Sequence, residues 1–250
     1  MMKVVTFSAI KGGVGKSSLA ILTANYLSHA GYRVLCIDMD IQNSLTFYHF
    51  PDKAIDSKNI FSALSNDNLK DNITKDLFIS VISSSFNLVK LRSLNIKTLS
   101  RLRNQIENDY DFVIIDTAPT FDSIVLNAVC MSDFIITPCY LSLFDFKALE
   151  FYKSQIELET DKIDNWKILL NKHKEPKTDN PDTELNQYIN LYHSTFSNIL
   201  NTKIPDTSII QKAIDTKTKI TLSHSKYKLY NAIKELCFEL FNIDNEPEYF

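Results

Sequence analysis

Of the four glycines in this 250-residue chain, three fall within four positions, at Gly12, Gly13 and Gly15, between Lys11 and Lys16. An apolar run over residues 4–7 precedes them and an apolar pattern of helical spacing follows, so the cluster sits where a strand turns into a helix N-terminus. Glycine there lets a ligand approach the backbone closely, while the helix start supplies unpaired N–H donors and a partial positive charge. Such a site suits a polyphosphate. The side chains agree: the Lys16 ammonium can reach β- and γ-phosphates, and Ser17 offers a hydroxyl to Mg2+. Gly12, Gly13, Val14, Gly15, Lys16, Ser17 and Ser18 are therefore the expected nucleotide-binding segment.

At 44% hydrophobic residues the chain can build a substantial core, and its length fits one large α/β domain. No Pro/Gly/Ser-rich linker and no fixed-period repeat divides it, so a single domain over residues 1–250 is expected. The glycine motif starts so near Met1 that no helix-turn-helix domain is expected ahead of it. The apolar start is too short for a signal peptide and no run approaches the ~20 residues of a membrane span, so a cytoplasmic protein is expected. Cys36, Cys130, Cys139 and Cys237 stand on apolar segments without metal-ligand spacing and read as buried thiols. A net charge of −3 excludes the bulk positive field of many nucleic-acid binders, so any DNA contact has to come from a local patch.

The remaining pattern alternates strands and helices. Leu19, Leu22, Ala24, Leu27 and Ala30 form the inner face of a helix that Gly31 ends. Residues 33–38 read as a buried parallel strand that brings Asp38 to the ligand edge, and residues 111–116 as a second that ends in Asp116. Further elements are a helix at 60–64, strands at 77–82, 134–138 and 167–170, and helices at 183–200 and 225–241. The last carries Tyr230, Ile233, Leu236, Cys237, Leu240 and Phe241 on one stripe. Over residues 87–108, Leu88, Leu91, Leu99, Leu102 and Ile106 mark an amphipathic helix with a basic face of Lys90, Arg92, Lys97, Arg101 and Arg103. That face serves a solvated surface or a second nucleic-acid patch. Tyr140, Phe144 and Phe146 are expected to pack the core or a dimer face. Together these elements specify a three-layer, doubly wound, mainly parallel α/β sheet flanked by helices, of the P-loop NTPase type.

Lys-Gly-Gly-Val-Gly-Lys-Ser at 11–17 resembles the deviant Walker A motif of the ParA/MinD superfamily of ATPases, and closest to it are the ParA-type partition ATPases. Residues 38–44 resemble that family's first switch, with Ile41 and Asn43 where Pro and Gly are usual. Residues 111–119 resemble its Walker B strand and second switch, and the likeness continues through 127–138. The resemblance implies an ATPase that turns ATP into ADP and phosphate with Mg2+, slowly unless a partner stimulates it. It implies catalytic roles for Lys11, Lys16 and Asp40, with Lys11 reaching across an ATP-bound homodimer and Asp40 positioning the attacking water. Ser17, Asp38 and Asp116 would serve Mg2+, Asn171 would recognise adenine, and Pro205 and Asp206 would lie beside it. The implied partners are non-specific DNA and a ParB-like centromere-binding protein, in plasmid or chromosome partition, with the ATP-bound form on the nucleoid. Six lysines over residues 203–228, namely Lys203, Lys212, Lys217, Lys219, Lys226 and Lys228, face only two aspartates and are the DNA-binding candidates. A MinD-like or polar-localisation ATPase shares every nucleotide motif and stays open as an alternative, as does a small-molecule-phosphorylating enzyme of the same superfamily. The acidic stretch 242–250 argues against a membrane anchor.

Overall fold

Apolar residues on β-branched-rich segments build the centre of the molecule. The computed structural model describes residues 1–51, 57–76, 79–91, 93–174, 176, 180–181, 183–206, 209, 212–213, 216, 218 and 227–243. Among them runs one eight-stranded sheet built from β1 (Lys3–Phe7), β2 (Val34–Met39), β3 (Thr74–Lys75), β4 (Ile79–Ile82), β5 (Phe112–Thr117), β6 (Phe134–Cys139), β7 (Trp166–His173) and β8 (Ile199–Pro205). The spatial order is β3-β4-β2-β5-β1-β6-β7-β8. Every pairing is parallel except that of β3 with β4. Continuous burial of β2 and β5 is what a parallel sheet covered on both faces demands.

Strand alternation sorts the side chains into two layers. Val5, Phe7, Cys36 and Ile114 pack toward α1 (Lys16–His29) and the C-terminal helix, whereas Val4, Leu35, Ile37, Val113 and Ile115 pack the other way. That opposite layer holds α3 (Ile60–Ser65), α4 (Thr98–Leu102) and α5 (Ser123–Met131), following α2 (Ser44–His49) in the chain. A third cluster gathers α6 (Leu143–Glu159), α7 (Glu184–Thr195) and the inner side chains of β6 and β7. The final helix, α8 (Tyr227–Phe241), buries Ile233, Leu236, Cys237 and Leu240 as its stripe predicts. All four cysteines are free thiols; Cys36, Cys139 and Cys237 are buried and Cys130 is half-buried. No helix of the described residues is long and apolar enough to cross a membrane.

Helix α1 departs from the expected one-sided pattern: every residue from Leu19 to Leu27 is buried, because α8 and α2 pack over the side facing away from the sheet, while Ala30 is only half-buried. Its end is as expected. Gly31 takes φ 89°, and Tyr32 N–H donates to Leu27 O at 3.1 Å.

Two expectations are corrected. The helix of residues 87–108 is three short pieces, a 3-10 turn at Phe86–Leu91, α4 and a 3-10 turn at Arg103–Gln105, because polar side chains take the helix donors ahead of α4. Asn95 Oδ1 accepts from Lys97 N–H and Asn127 Oδ1 from Leu99 N–H, at 2.9 and 3.0 Å, so the helix restarts at Thr98. The helix of residues 183–200 stops at Thr195, where Phe196 turns in against Phe146 and Trp166, and Ile199 and Leu200 open β8 instead. The strand at 77–82 is described from Ile79, with Leu77 outside the described residues.

The basic face is also dismantled. Arg92 lies outside the described residues; Lys90, Lys97 and Arg101 are exposed. Arg103 instead turns inward, donating to both Asp133 oxygens at 2.9 and 3.1 Å, to Met2 O at 2.9 Å and to Met131 O at 3.2 Å. Asp133 in turn accepts Val4 N–H at 2.8 Å. One guanidinium thus ties the start of β1 to the end of α5. Arg103→Ala should lower unfolding stability by about 2 kcal/mol, the scale of losing charged hydrogen bonds from a half-buried pair. Urea unfolding checks this, and an unchanged midpoint would show that the tie is dispensable.

Candidate nucleotide site

The carboxyl ends of β1, β2 and β5 lie side by side, with Asp116 in register with both Phe7 and Asp38. The glycine loop leaves β1 there and closes on Gly15, the residue before α1, at φ 100°. A β-carbon at that position would stand 2.3 Å from Asn171 Nδ2, so only glycine fits. The approach of Asn171 to the loop is close because its Nδ2 donates to Val14 O at 2.7 Å. Gly12 and Gly13 are exposed, Val14 is buried, and Ser17 and Ser18 are half-buried on the first turn of α1. Tyr140 closes the outer side of the loop, its hydroxyl donating to Gly13 O.

Lys16 is 6% exposed, its Nζ 3.5 Å from Lys11 O. Burial lowers its pKa, opposed by the negative charges of Asp116 and Asp40. The three aspartates around it differ in what they already hold. Asp38 is fully buried and accepts three hydrogen bonds, from Asp40 N–H at 3.1 Å, Thr46 N–H at 2.9 Å and the Thr46 hydroxyl at 2.7 Å. Burial still raises its carboxyl to about 6, against those donors and with the charge of Asp40 adding to the rise. Asp40, also buried, accepts Gln42 N–H at 2.9 Å. Asp116 is fully buried, and neither of its oxygens completes a hydrogen bond among the described residues. Burial and the neighbouring Asp38 hold its pKa well above the usual carboxylate range, with Ser17 and Lys16 opposing.

An orphaned carboxylate beside a serine hydroxyl fits a hard divalent cation, which takes oxygen ligands and supplies the charge this pocket lacks. Ser17 and Asp116 are thus the residues that would hold Mg2+. Asp38 accepts three hydrogen bonds that pin the following loop to β2, and keeps one lone pair on Oδ1 free of them. Asn43, where the family usually has glycine, takes φ 58° and is held by Nδ2 donating to Ile41 O at 2.7 Å. Asparagine tolerates the left-handed region, so the loop keeps a glycine-like turn.

Lys11 does not enter this pocket. Its Nζ pairs with Asp145, a residue 2% exposed at the start of α6, and lies 5.7 Å from the Tyr140 ring centroid. Ser142 caps that helix through the same residue: its hydroxyl accepts Asp145 N–H at 3.1 Å and donates to Asp145 Oδ2. Of the three aromatic residues after β6, Phe146 is core, Tyr140 is half-buried and Phe144 is 83% exposed. Asn171 ends the buried part of β7, and Pro205 pairs with His173 at the same end of the sheet, which brings Pro205 and Asp206 to that edge. Lys203, Lys212 and Lys228 are exposed; Lys217, Lys219, Lys226 and the acidic stretch from residue 244 lie outside the described residues. Sequence reasoning missed Thr46, Tyr140 and Asp145 as site residues. Ser142-x-x-Asp145 is a helix-start pattern readable from sequence, yet its link to Lys11 spans 134 positions.

A glycine loop at the end of a central strand, with acids at the ends of the next two strands on one side of it, defines a P-loop nucleotide-binding protein of the doubly wound class. The chain belongs to the family AAA_31, an AAA domain, whose model matches residues 2–168, and with it to the ParA/MinD superfamily of ATPases. It is 27% identical over 158 residues to the sporulation initiation inhibitor protein Soj of Bacillus subtilis, a match covering 60% of this chain and 62% of Soj. The chain spans just under two thirds of the length of the first curated relatives it matches. A plasmid partition protein from Borrelia burgdorferi B31 bound to AMPPNP has the same fold, with TM-score 0.79 and 24% identity over 94% of this chain and 98% of that one. Cobyrinic acid a,c-diamide synthase from Mycobacterium smegmatis with bound ADP and magnesium follows at TM-score 0.74 and 18% identity over 99% of each.

Thr46 joins this site to the core, since its hydroxyl donates to Asp38 and accepts Ser84 N–H at 3.1 Å. Thr46→Val keeps the shape and removes both bonds, and should cost about 1–3 kcal/mol of stability. Urea unfolding measures that loss, and a wild-type midpoint would show that backbone donors alone hold Asp38.

Proposed function

We propose that this protein is a ParA-type partition ATPase: a Mg-ATP-dependent dimer that holds non-specific DNA and whose hydrolysis a ParB-like partner stimulates. The observation that carries the reading is the placement of its two loop lysines. Lys16 is sunk in the phosphate loop, whereas Lys11 stands at the outer rim against Asp145 and Tyr140. A rim cation is surplus to one site and useful to the phosphates of a facing copy.

Within each site the loop N–H groups and Lys16 would hold the β- and γ-phosphates, and Ser17 and Asp116 would hold Mg2+. Bound there, the ion supplies charge neutralisation for phosphoryl transfer. Asp40, on the loop that Asp38 and Asn43 shape, would orient the water whose oxygen attacks the γ-phosphorus as the bond to the ADP oxygen breaks. Placement and charge are what this reaction asks of a protein, and no covalent intermediate is needed.

Two experiments test the reading. Asp40→Ala should keep ATP and accumulate as a dimer with hydrolysis down at least ~10-fold, while Lys11→Ala should stay monomeric with ATP. Light scattering with a phosphate-release assay reads both, and a stable ATP dimer of Lys11→Ala would remove the trans role. For the matrix, co-sedimentation with DNA is set beside co-sedimentation with anionic liposomes. ATP-dependent retention on DNA, independent of sequence and weakening with salt at roughly 0.9 log units per phosphate neutralised, is expected. Charge reversal of Lys212, Lys217 and Lys219 together should abolish it without affecting dimerisation. Retention on liposomes alone would favour a membrane-positioning ATPase.

A further inference from the structure

Asn171 is 7% exposed and its amide is turned into the protein, toward the phosphate loop. Both of its ends are engaged. Oδ1 accepts Lys172 N–H at 2.8 Å, and Lys172 takes φ 48° in making that turn; Nδ2 donates to Val14 O at 2.7 Å. These two partners fix which end of the amide is which, since reversing it would oppose an N–H with an N–H and a carbonyl with a carbonyl. The same nitrogen occupies the space that a β-carbon at Gly15 would need, so the amide lies directly against the loop at the residue before α1. A peptide unit is planar and trans, so drawing Val14 C=O toward β7 points the Gly15 N–H the opposite way. A peptide free to turn over would instead set a carbonyl oxygen against an anion.

We infer that Asn171 is a positioning residue that braces the phosphate loop, holding the Val14–Gly15 peptide in its anion-binding orientation before any base arrives. The inference rests on the nucleotide reading of that loop. It goes beyond adenine recognition, which the family resemblance implies for the same side chain. The two uses are compatible, because the amide keeps a second N–H hydrogen and a second lone pair on Oδ1. An adenine bound to them would then touch the residue that sets the loop, so base and phosphate recognition would be coupled through one side chain.

The test separates a brace from a base reader by using readouts that involve no base. Asn171→Ala removes the amide; Asn171→Leu fills its volume without a donor, which separates the hydrogen bond from packing and gives a second chance at a folded variant. In the ligand-free protein, hydrogen exchange of peptides covering residues 12–18 should speed up roughly 3- to 10-fold in both variants, with β5 peptides unchanged as the folding control. Mg-tripolyphosphate, which has no base, should bind both variants more weakly by a similar factor in competition with a fluorescent ATP analogue. Wild-type exchange and wild-type tripolyphosphate affinity, with only ATP affinity reduced, would overturn the brace. If the wild-type protein held no nucleotide at all, the function proposed above would fall, and the exchange rates would still decide whether Asn171 holds the loop.

Discussion

A buried ammonium among three buried carboxylates is the interaction on which the rest of this structure turns. Lys16, Asp38, Asp40 and Asp116 are each 7% exposed or less. Removing such groups from water is unfavourable unless they are paired or hydrogen-bonded, and here the pairing is incomplete. The opposing pKa shifts record that imbalance: burial lowers Lys16 and raises Asp38 and Asp116. A centre so short of positive charge is stable only on a rigid frame, and the parallel register of β1, β5 and β2 supplies it. Three strand ends deliver a loop and two acids to one spot, while the apolar layers on both faces keep water out. Functional chemistry and fold are thus set by the same strand order.

The loop above this centre is held from outside the motif. Tyr140 grips Gly13, Asn171 grips Val14, and Asp145 holds Lys11. These three residues follow β6, end the buried part of β7 and lie in the first turn of α6, all on the side of the sheet away from the loop after β2. Loop geometry therefore depends on β6 and β7 as much as on β1, and an isolated P-loop peptide would not keep it. The Lys11–Asp145 pair also has a consequence for assembly. A lysine that serves a facing copy must first leave a nearly fully buried carboxylate, so dimerisation would carry the cost of exposing or re-pairing Asp145.

Much of the fold was legible in the amino-acid sequence, and for physical reasons. Parallel strands buried on both faces appear as unbroken apolar runs, so β2, β5 and β6 were readable nearly to their ends. Phosphate chemistry demands glycine at set positions, so the loop was readable too. What failed were elements whose limits are decided by distant partners. The long amphipathic helix over 87–108 broke because Asn127, on another helix, takes the Leu99 donor, and Arg103 left the basic face because Asp133 lies behind it. Phe196 ended α7 early by joining an aromatic cluster built from α6, α7 and β7. In the site, Asp145 and Tyr140 were invisible as partners because nothing local marks a contact that spans more than a hundred residues.

The division of labour among the aspartates was likewise hidden, and it shows how alike residues acquire unlike roles. Asp38 and Asp116 face each other on adjacent parallel strands, and both follow an apolar run. What separates them is the next turn of chain. After β2 the backbone curls at Asn43 into α2, so that Thr46 returns its N–H and hydroxyl to Asp38 and satisfies it. β5 ends at Thr117 and the chain goes on through Ala118 and Pro119; Pro119 has no N–H, and the Thr117 hydroxyl donates to Phe7 O instead. Asp116 is thereby left without a donor from its own loop, facing the Ser17 hydroxyl and the Lys16 ammonium. A carboxylate denied donors by its own chain has the most to gain from a cation, so under the proposed function Asp116 would be the ligand that the next turn of chain leaves open.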